Sequence, residues 1–357
     1  MPVYKRPDFQ SEKFAACPDA KVCPVIKNGV APADFHATTI FPEYFRISGC
    51  WTLLTESRMD GVVVLQPDGR LEVKEFRRLM PGELVFVGRT EDGSEGIYVH
   101  PNGFHPVCEE TDAFAFRTGR SRETSYSRDY DRLYELMRHE KEHGYIVWVL
   151  GPAVVFDSDS KRAMISLIEN GFVDVIMAGN ALATHDLEGS LFKTALGQDI
   201  YTQESVPSGH YHHLDTINKA REHTSLAEFI EAEQIGGSVV SACVRARVPL
   251  VLAGSIRDDG PLPEVLADVY AAQDAMRQHA KKATTVICLA TQLHSIATGN
   301  MTPAYQVKGE AVRPVYIYSV DVSEFAVNKL KDRGSLEVTS IVTNIQDFLV
   351  HIQRGLI

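Results

Sequence analysis

Val173-Asp174-Val175-Ile176-Met177-Ala178 is a short, largely apolar run, and Gly179-Asn180-Ala181-Leu182-Ala183-Thr184-His185-Asp186 follows it at once. A run of this kind predicts a strand covered on both faces, as in parallel sheets. Four more such runs flank it: Tyr145 to Leu150, Pro249 to Ala253, Thr285 to Ala290 and Val315 to Val320. Helical patterns intervene at Ser160 to Asn170, Leu214 to Glu222, Leu262 to His279, Ser323 to Lys331 and Asn344 to Arg354. Parallel neighbours need such crossovers, because a tight hairpin reverses the chain. Residues 121–357 are therefore expected to form a parallel α/β domain.

Upstream the pattern changes. Between His36 and about residue 120, short runs such as Gly61-Val62-Val63-Val64-Leu65 and Glu83-Leu84-Val85-Phe86-Val87 alternate with turn signals such as Pro67-Asp68-Gly69 and Pro81-Gly82, which predicts a β-rich domain. Residues 1–35 read as an irregular arm anchored by Phe14 and Val25-Ile26. Leu133, Leu136 and Met137 mark a helix that Gly144 stops, and the domain boundary is placed just before it.

Composition narrows the function. The 357 residues are 44% hydrophobic and 23% charged, with net charge −11, which argues for a folded chain and against nucleic acid as partner. Cys17, Cys23, Cys50, Cys108, Cys243 and Cys288 form no CxxC pair, so a reduced, cytoplasmic chain is expected. No apolar run approaches the roughly 18 residues of a membrane helix, and no signal peptide is evident.

In open parallel sheets, ligands bind beyond the carboxyl ends of the strands. There the chain places Gly179 to Asp186, Gly254-Ser255-Ile256-Arg257-Asp258-Asp259-Gly260-Pro261, Thr291-Gln292-Leu293-His294-Ser295-Ile296-Ala297-Thr298-Gly299-Asn300, and Asp321. Read as loops, these supply glycines for close backbone approach and short donors for an anion such as a pyrophosphate. GxGxxG is absent, and each feature also has a plain structural use. The glycines are ordinary turn residues, Asp258 and Asp259 would suit a helix start, and His185 and His294 would serve as hydrogen-bonding groups. Gly209-His210-Tyr211-His212-His213 fits neither HExxH nor a cysteine-containing ligand set, so no metal site is assigned.

Taken together, Gly151-Pro152-Ala153-Val154-Val155, Gly179 to Asp186, Leu252 to Pro263, Leu293 to Met301 and Asn328 to Ser335 closely resemble the LOR/SDH conserved-region family. That family includes archaeal ornithine cyclodeaminases and the C-terminal part of arginine dihydrolase/ornithine cyclodeaminase enzymes. The resemblance implies a β-rich N-terminal domain and a Rossmann-like domain of the deoxyhypusine-synthase type that binds NAD without GxGxxG. It also implies conversion of L-ornithine to L-proline and ammonia, with NAD returned unchanged.

On that reading Asp258 or Asp259 moves protons and Arg257 holds the substrate carboxylate, with His185 (and Asp186) in reserve. Asn180, Ala181, Gly254, Ser255, Thr291, His294, Gly299, Asn300 and Asp321 hold NAD. One departure stands out: Lys193-Thr194-Ala195-Leu196-Gly197 has lysine where the family pattern has glycine. The roughly 35 residues ahead of the matching region are too few for a further catalytic domain, so a stand-alone chain is expected. A homo-oligomer is expected by analogy with the fold. Two other readings stand beside this one: an amino-acid dehydrogenase of the lysine-oxoglutarate reductase/saccharopine dehydrogenase type, and a non-catalytic NAD-binding regulatory module.

Overall fold

Val62–Leu65 and Leu71–Lys74 pair antiparallel, with Leu65 opposite Leu71, and Gly69 in the intervening turn takes φ +84°. A side chain is strained in that backbone region and glycine is not. The computed structural model to which this hairpin belongs describes residues 3–105, 127–258, 260–323 and 336–357. Its contacts divide into two units: Met1–Thr124 with Asn300–Val315 and Gly334–Glu337, and Ser125–Gly299 with Tyr316–Arg333 and Val338–Ile357. No described helix is long and apolar enough to cross a membrane.

The first unit is antiparallel β structure. A four-stranded sheet runs Lys21–Pro24, Leu84–Val87, Val62–Leu65, Leu71–Lys74, and a three-stranded sheet runs Cys50–Leu53, Glu43–Ile47, Ile97–Val99. Phe45, Leu54, Val63, Val73, Phe86 and Ile97 form one of its buried clusters. The expected irregular arm is corrected in part, because Lys21–Pro24 pairs with Leu84–Val87. Four residues ending in proline give little strand signal, yet proline is tolerated at a sheet edge, where this strand lies. Phe14 and Val25 are buried as anchors, whereas Ile26 is exposed.

The second unit holds the parallel sheet. Its strands are β1 (Ile146–Leu150), β2 (Val175–Gly179), β3 (Leu250–Ala253), β4 (Thr285–Leu289), β5 (Tyr316–Asp321) and β6 (Glu337–Val342), in the spatial order 3-2-1-4-5-6. The pairings along β3-β2-β1-β4-β5 are all parallel. Every residue of β1 and β4 is buried, which is why these strands read as unbroken apolar runs. Asp174, the polar interruption before β2, accepts the Ile146 N–H at 2.7 Å, and burial raises its carboxyl pKa. Strand β6 went unread because it is mostly half-buried and carries no continuous apolar run.

Among the described residues from 127 onward, the α-helices are α1 (Ser127–His143), α2 (Ser158–Glu169), α3 (Asn180–Phe192), α4 (His210–Ala220), α5 (Leu226–Ala232), α6 (Val239–Ala246), α7 (Val269–Ala280), α8 (Gln292–Met301) and α9 (Ile345–Leu356). Two expected loops are corrected: the segments after β2 and β4 are the helices α3 and α8. Asn180, Thr184, His185, Asp186 and Glu188 of α3 are all buried. A helix buried nearly all round has no polar stripe by which to recognise it. Helix α7 starts at Val269 rather than Leu262, because the Asp268 side chain caps it by accepting the Ala271 N–H at 2.7 Å. The helix expected at Ser323 to Lys331 falls almost wholly outside the described residues.

Candidate active site

Order 3-2-1-4-5-6 reverses between β1 and β4, and the crevice above such a reversal is where doubly wound sheets bind ligands. Here the turns leaving the two strands touch. Gly151 donates its N–H to Leu289 O at 2.8 Å, and a Cβ on Gly151 would lie 1.9 Å from Ala290 O. Ala290 itself sits at φ +49°, a left-handed conformation costly for alanine. Strain of this kind concentrates at functional sites. Sequence reasoning missed Ala290, and nothing in its local sequence signals the conformation.

His294, in the first turn of α8, reaches toward β2: its Cε1 is 3.2 Å from where a Gly179 Cβ would stand. Burial lowers the imidazole pKa. The charged form is thus disfavoured in the folded chain, and the unfolded chain binds the proton more readily. The resulting stability is complete above the ordinary value and is lost as pH falls from there through the lower folded value. We expect the His294 ring resonance, assigned by its loss in His294→Gln, to titrate below pH 6.5. A midpoint at or above that value would contradict the burial seen here.

The cofactor candidates divide. Gly179 caps α3 without a side-chain bond, which leaves the first-turn N–H groups, Ala181 among them, free of a side-chain cap. Asn180 is committed within the protein: Oδ1 accepts the Leu262 N–H at 3.0 Å and Nδ2 donates to Gly260 O at 3.5 Å. Gly254 donates its N–H to Leu266 O, and a Cβ there would meet Ala267 Cα at 3.2 Å. Ser255, Ile256 and Arg257 are exposed in a turn closed by Asp258, whose Oδ2 accepts the Ser255 N–H at 2.8 Å. Asp259 lies outside the described residues. Thr291 leads into α8, which carries Gly299 and Asn300 about 12–13 Å further along its axis at ~1.5 Å per residue. Asp321 ends β5 and accepts the Ser323 N–H at 2.9 Å.

His185 lies in the second turn of α3, with its ring edge-on to Phe156 at 5.3 Å between centroids. Its Nδ1 is 3.0 Å from Glu188 Oε2, and His213 Nδ1 of α4 is 3.9 Å from the same oxygen. The other oxygen, Oε1, accepts from Thr194 Oγ1, which also bonds His212 Nδ1. Sequence reasoning missed Glu188, although its i, i+3 spacing from His185 was readable. Asp186 faces elsewhere, paired with Lys161 at 3.0 Å. Lys193 is the C-cap of α3 at φ +61°, a position that glycine fills without strain, and its Nζ donates to Ser190 O at 3.2 Å.

Comparison with known proteins adds the following. The family described as arginine dihydrolase ArgZ-like, C-terminal, Rossmann fold matches residues 132–352. A protein of Methanopyrus kandleri named ornithine cyclodeaminase is 37% identical over 350 residues, covering 96% of this chain and 81% of its own. The crystal structure of a conserved LOR/SDH protein from Methanococcus maripaludis superposes with TM-score 0.84 at 33% identity, over 95% of this chain and 98% of that one. The ternary complex of AgrE with ornithine and NAD+ matches at TM-score 0.58 and 34% identity, over 96% of this chain and 46% of that longer one.

Proposed function

The chain belongs to the ArgZ-like C-terminal Rossmann family, and from that premise we propose that it is an ornithine cyclodeaminase using NAD catalytically. The observation that carries this reading is the crest at the β1/β4 reversal, in a chain whose relative AgrE is seen with ornithine and NAD+. The crest suits a dinucleotide. The N-terminus of α3, with no side-chain cap and no Cβ at Gly179, offers N–H groups to a pyrophosphate, Thr291 and His294 stand beside the crevice, and Asp321 offers a carboxylate to ribose hydroxyls. Gly254 and Ser255 complete this set, and Asn180 acts indirectly by holding Gly260 and Leu262.

Bound NAD+ supplies reversible removal of two electrons at the substrate α-carbon, so the net reaction is L-ornithine to L-proline and ammonia without change of redox state. The protein must then hold a diamino acid and move protons. Arg257 would receive the carboxylate in the paired geometry guanidinium favours. Asp258 or Asp259 would take a proton from an ammonium group and return one to the departing ammonia. His294 would line the crevice without adding charge. The net charge of −11 supports a small-molecule substrate over nucleic acid, the free thiols among the described cysteines suit a reducing, cytoplasmic setting, and a homo-oligomer rests on analogy with the fold.

Incubation with L-ornithine and NAD+ should yield proline and ammonium in equal amounts while absorbance of the reduced nicotinamide stays flat. Asp258→Asn should lower kcat by ~10²-fold or more with NAD binding retained. Steady NADH growth would instead identify an amino-acid dehydrogenase. Binding of NAD with no turnover of ornithine, lysine or diaminobutyrate would identify a non-catalytic module.

A further inference from the structure

Glu188 has a fully buried carboxylate, and among the described residues its ion-pair partners are both histidines, His185 and His213. A buried carboxylate needs a compensating cation or a dense set of donors. Here one oxygen is taken up by Thr194, and the other faces two imidazole nitrogens. His185 and Glu188 share a face of α3, and His213 comes from the first turn of α4. The three candidate ligand atoms all lie within 4.8 Å of one another. With two separations of 3.0 and 3.9 Å and the third at its limit of 4.8 Å, the point equidistant from all three is about 2.4 Å from each, close to the ~2.0–2.2 Å of zinc–nitrogen and zinc–oxygen bonds.

We propose that His185, Glu188 and His213 bind one divalent transition-metal ion of the zinc class, joining α3 to α4. Two imidazoles and one carboxylate are a zinc-type donor set with a fourth position open, and they are a poor match for calcium or magnesium, which prefer all-oxygen ligands. The bond from Thr194 Oγ1 to Oε1, itself backed by His212, is the outer support that orients a ligating carboxylate. The Phe156 ring beside His185 shields one flank, while the His213 side chain, 27% exposed, leaves a route for the ion. The site does not depend on the proposed activity.

The test uses the full-length chain, stripped with chelator, loaded with Zn2+ alone, desalted and assayed for metal by mass spectrometry. Wild type is expected to retain about one ion per chain, and Glu188→Gln and His213→Ala to bind at least ~10²-fold more weakly. His210→Ala, an exposed histidine of the same helix, should bind as wild type. If the variants do not fold, Co2+ titration of the unmutated chain decides by itself. Intense tetrahedral d–d bands saturating at one equivalent support the site; the weak spectrum of the hydrated ion overturns it. Wild type without stoichiometric metal, or binding lost equally in His210→Ala, also overturns the proposal.

Discussion

Gly151→Ala is expected to unfold at markedly lower denaturant than the parent chain, at a cost of about 3 kcal/mol, the upper part of the range for overpacking. The added methyl would stand 1.9 Å from Ala290 O and 2.6 Å from Ala290 C, both backbone atoms that no rotamer change can move. Relief requires the turns after β1 and β4 to part, and these turns form the crest of the proposed nucleotide site. Weaker NAD binding should therefore accompany the loss of stability. Gly236→Ala is the matched control, with no atom within 4 Å of its Cβ position, and should stay within about 0.5 kcal/mol of the parent. Equal urea midpoints for the two variants would refute the close contact.

The second large effect concerns Lys161 and Asp186, whose side chains are 5% and 0% exposed. Lys161 Nζ also donates to Asp186 O and Ser190 Oγ, and Asp186 Oδ2 accepts the Val240 N–H at 2.8 Å, so one pair ties together α2, α3 and α6. Lys161→Met should cost about 3–5 kcal/mol, because it strands a buried carboxylate. Lys161→Met with Asp186→Asn should recover part of that loss, since no uncompensated charge then remains. A urea double-mutant cycle measures the coupling, and strict additivity of the two substitutions would show that the pair is not coupled.

The five apolar strands were legible because burial on both faces writes itself as consecutive Val, Ile and Leu. The edge elements were not: Lys21–Pro24 and β6 are short or half-exposed and leave no continuous run. Helices α3 and α8 were hidden for a different reason. In α3 the polar residues are turned inward into specific bonds, as with Asn180 to Leu262 and His185 to Glu188, which erases the 3.6-residue polar stripe, whereas α8 exposes an apolar residue, Leu293, and so breaks the usual pattern. The histidine-rich motif at 209–213 was readable as a motif but lacked a partner, because that partner stands on another helix.

By sequence alone, this chain determined its class: a parallel sheet crossed by helices, preceded by β structure, with its polar and glycine-rich segments following the strand ends. Those properties are local, since strand burial and helix periodicity are set by residues a few positions apart. Tertiary packing decided which of those polar residues meet. It paired Asp186 with Lys161, and carried Gly299 and Asn300 down a helix from Thr291. It also set His213 against Glu188, 25 positions earlier in the chain. Distances of that kind depend on how whole helices cross and pack, and no short window of sequence contains them.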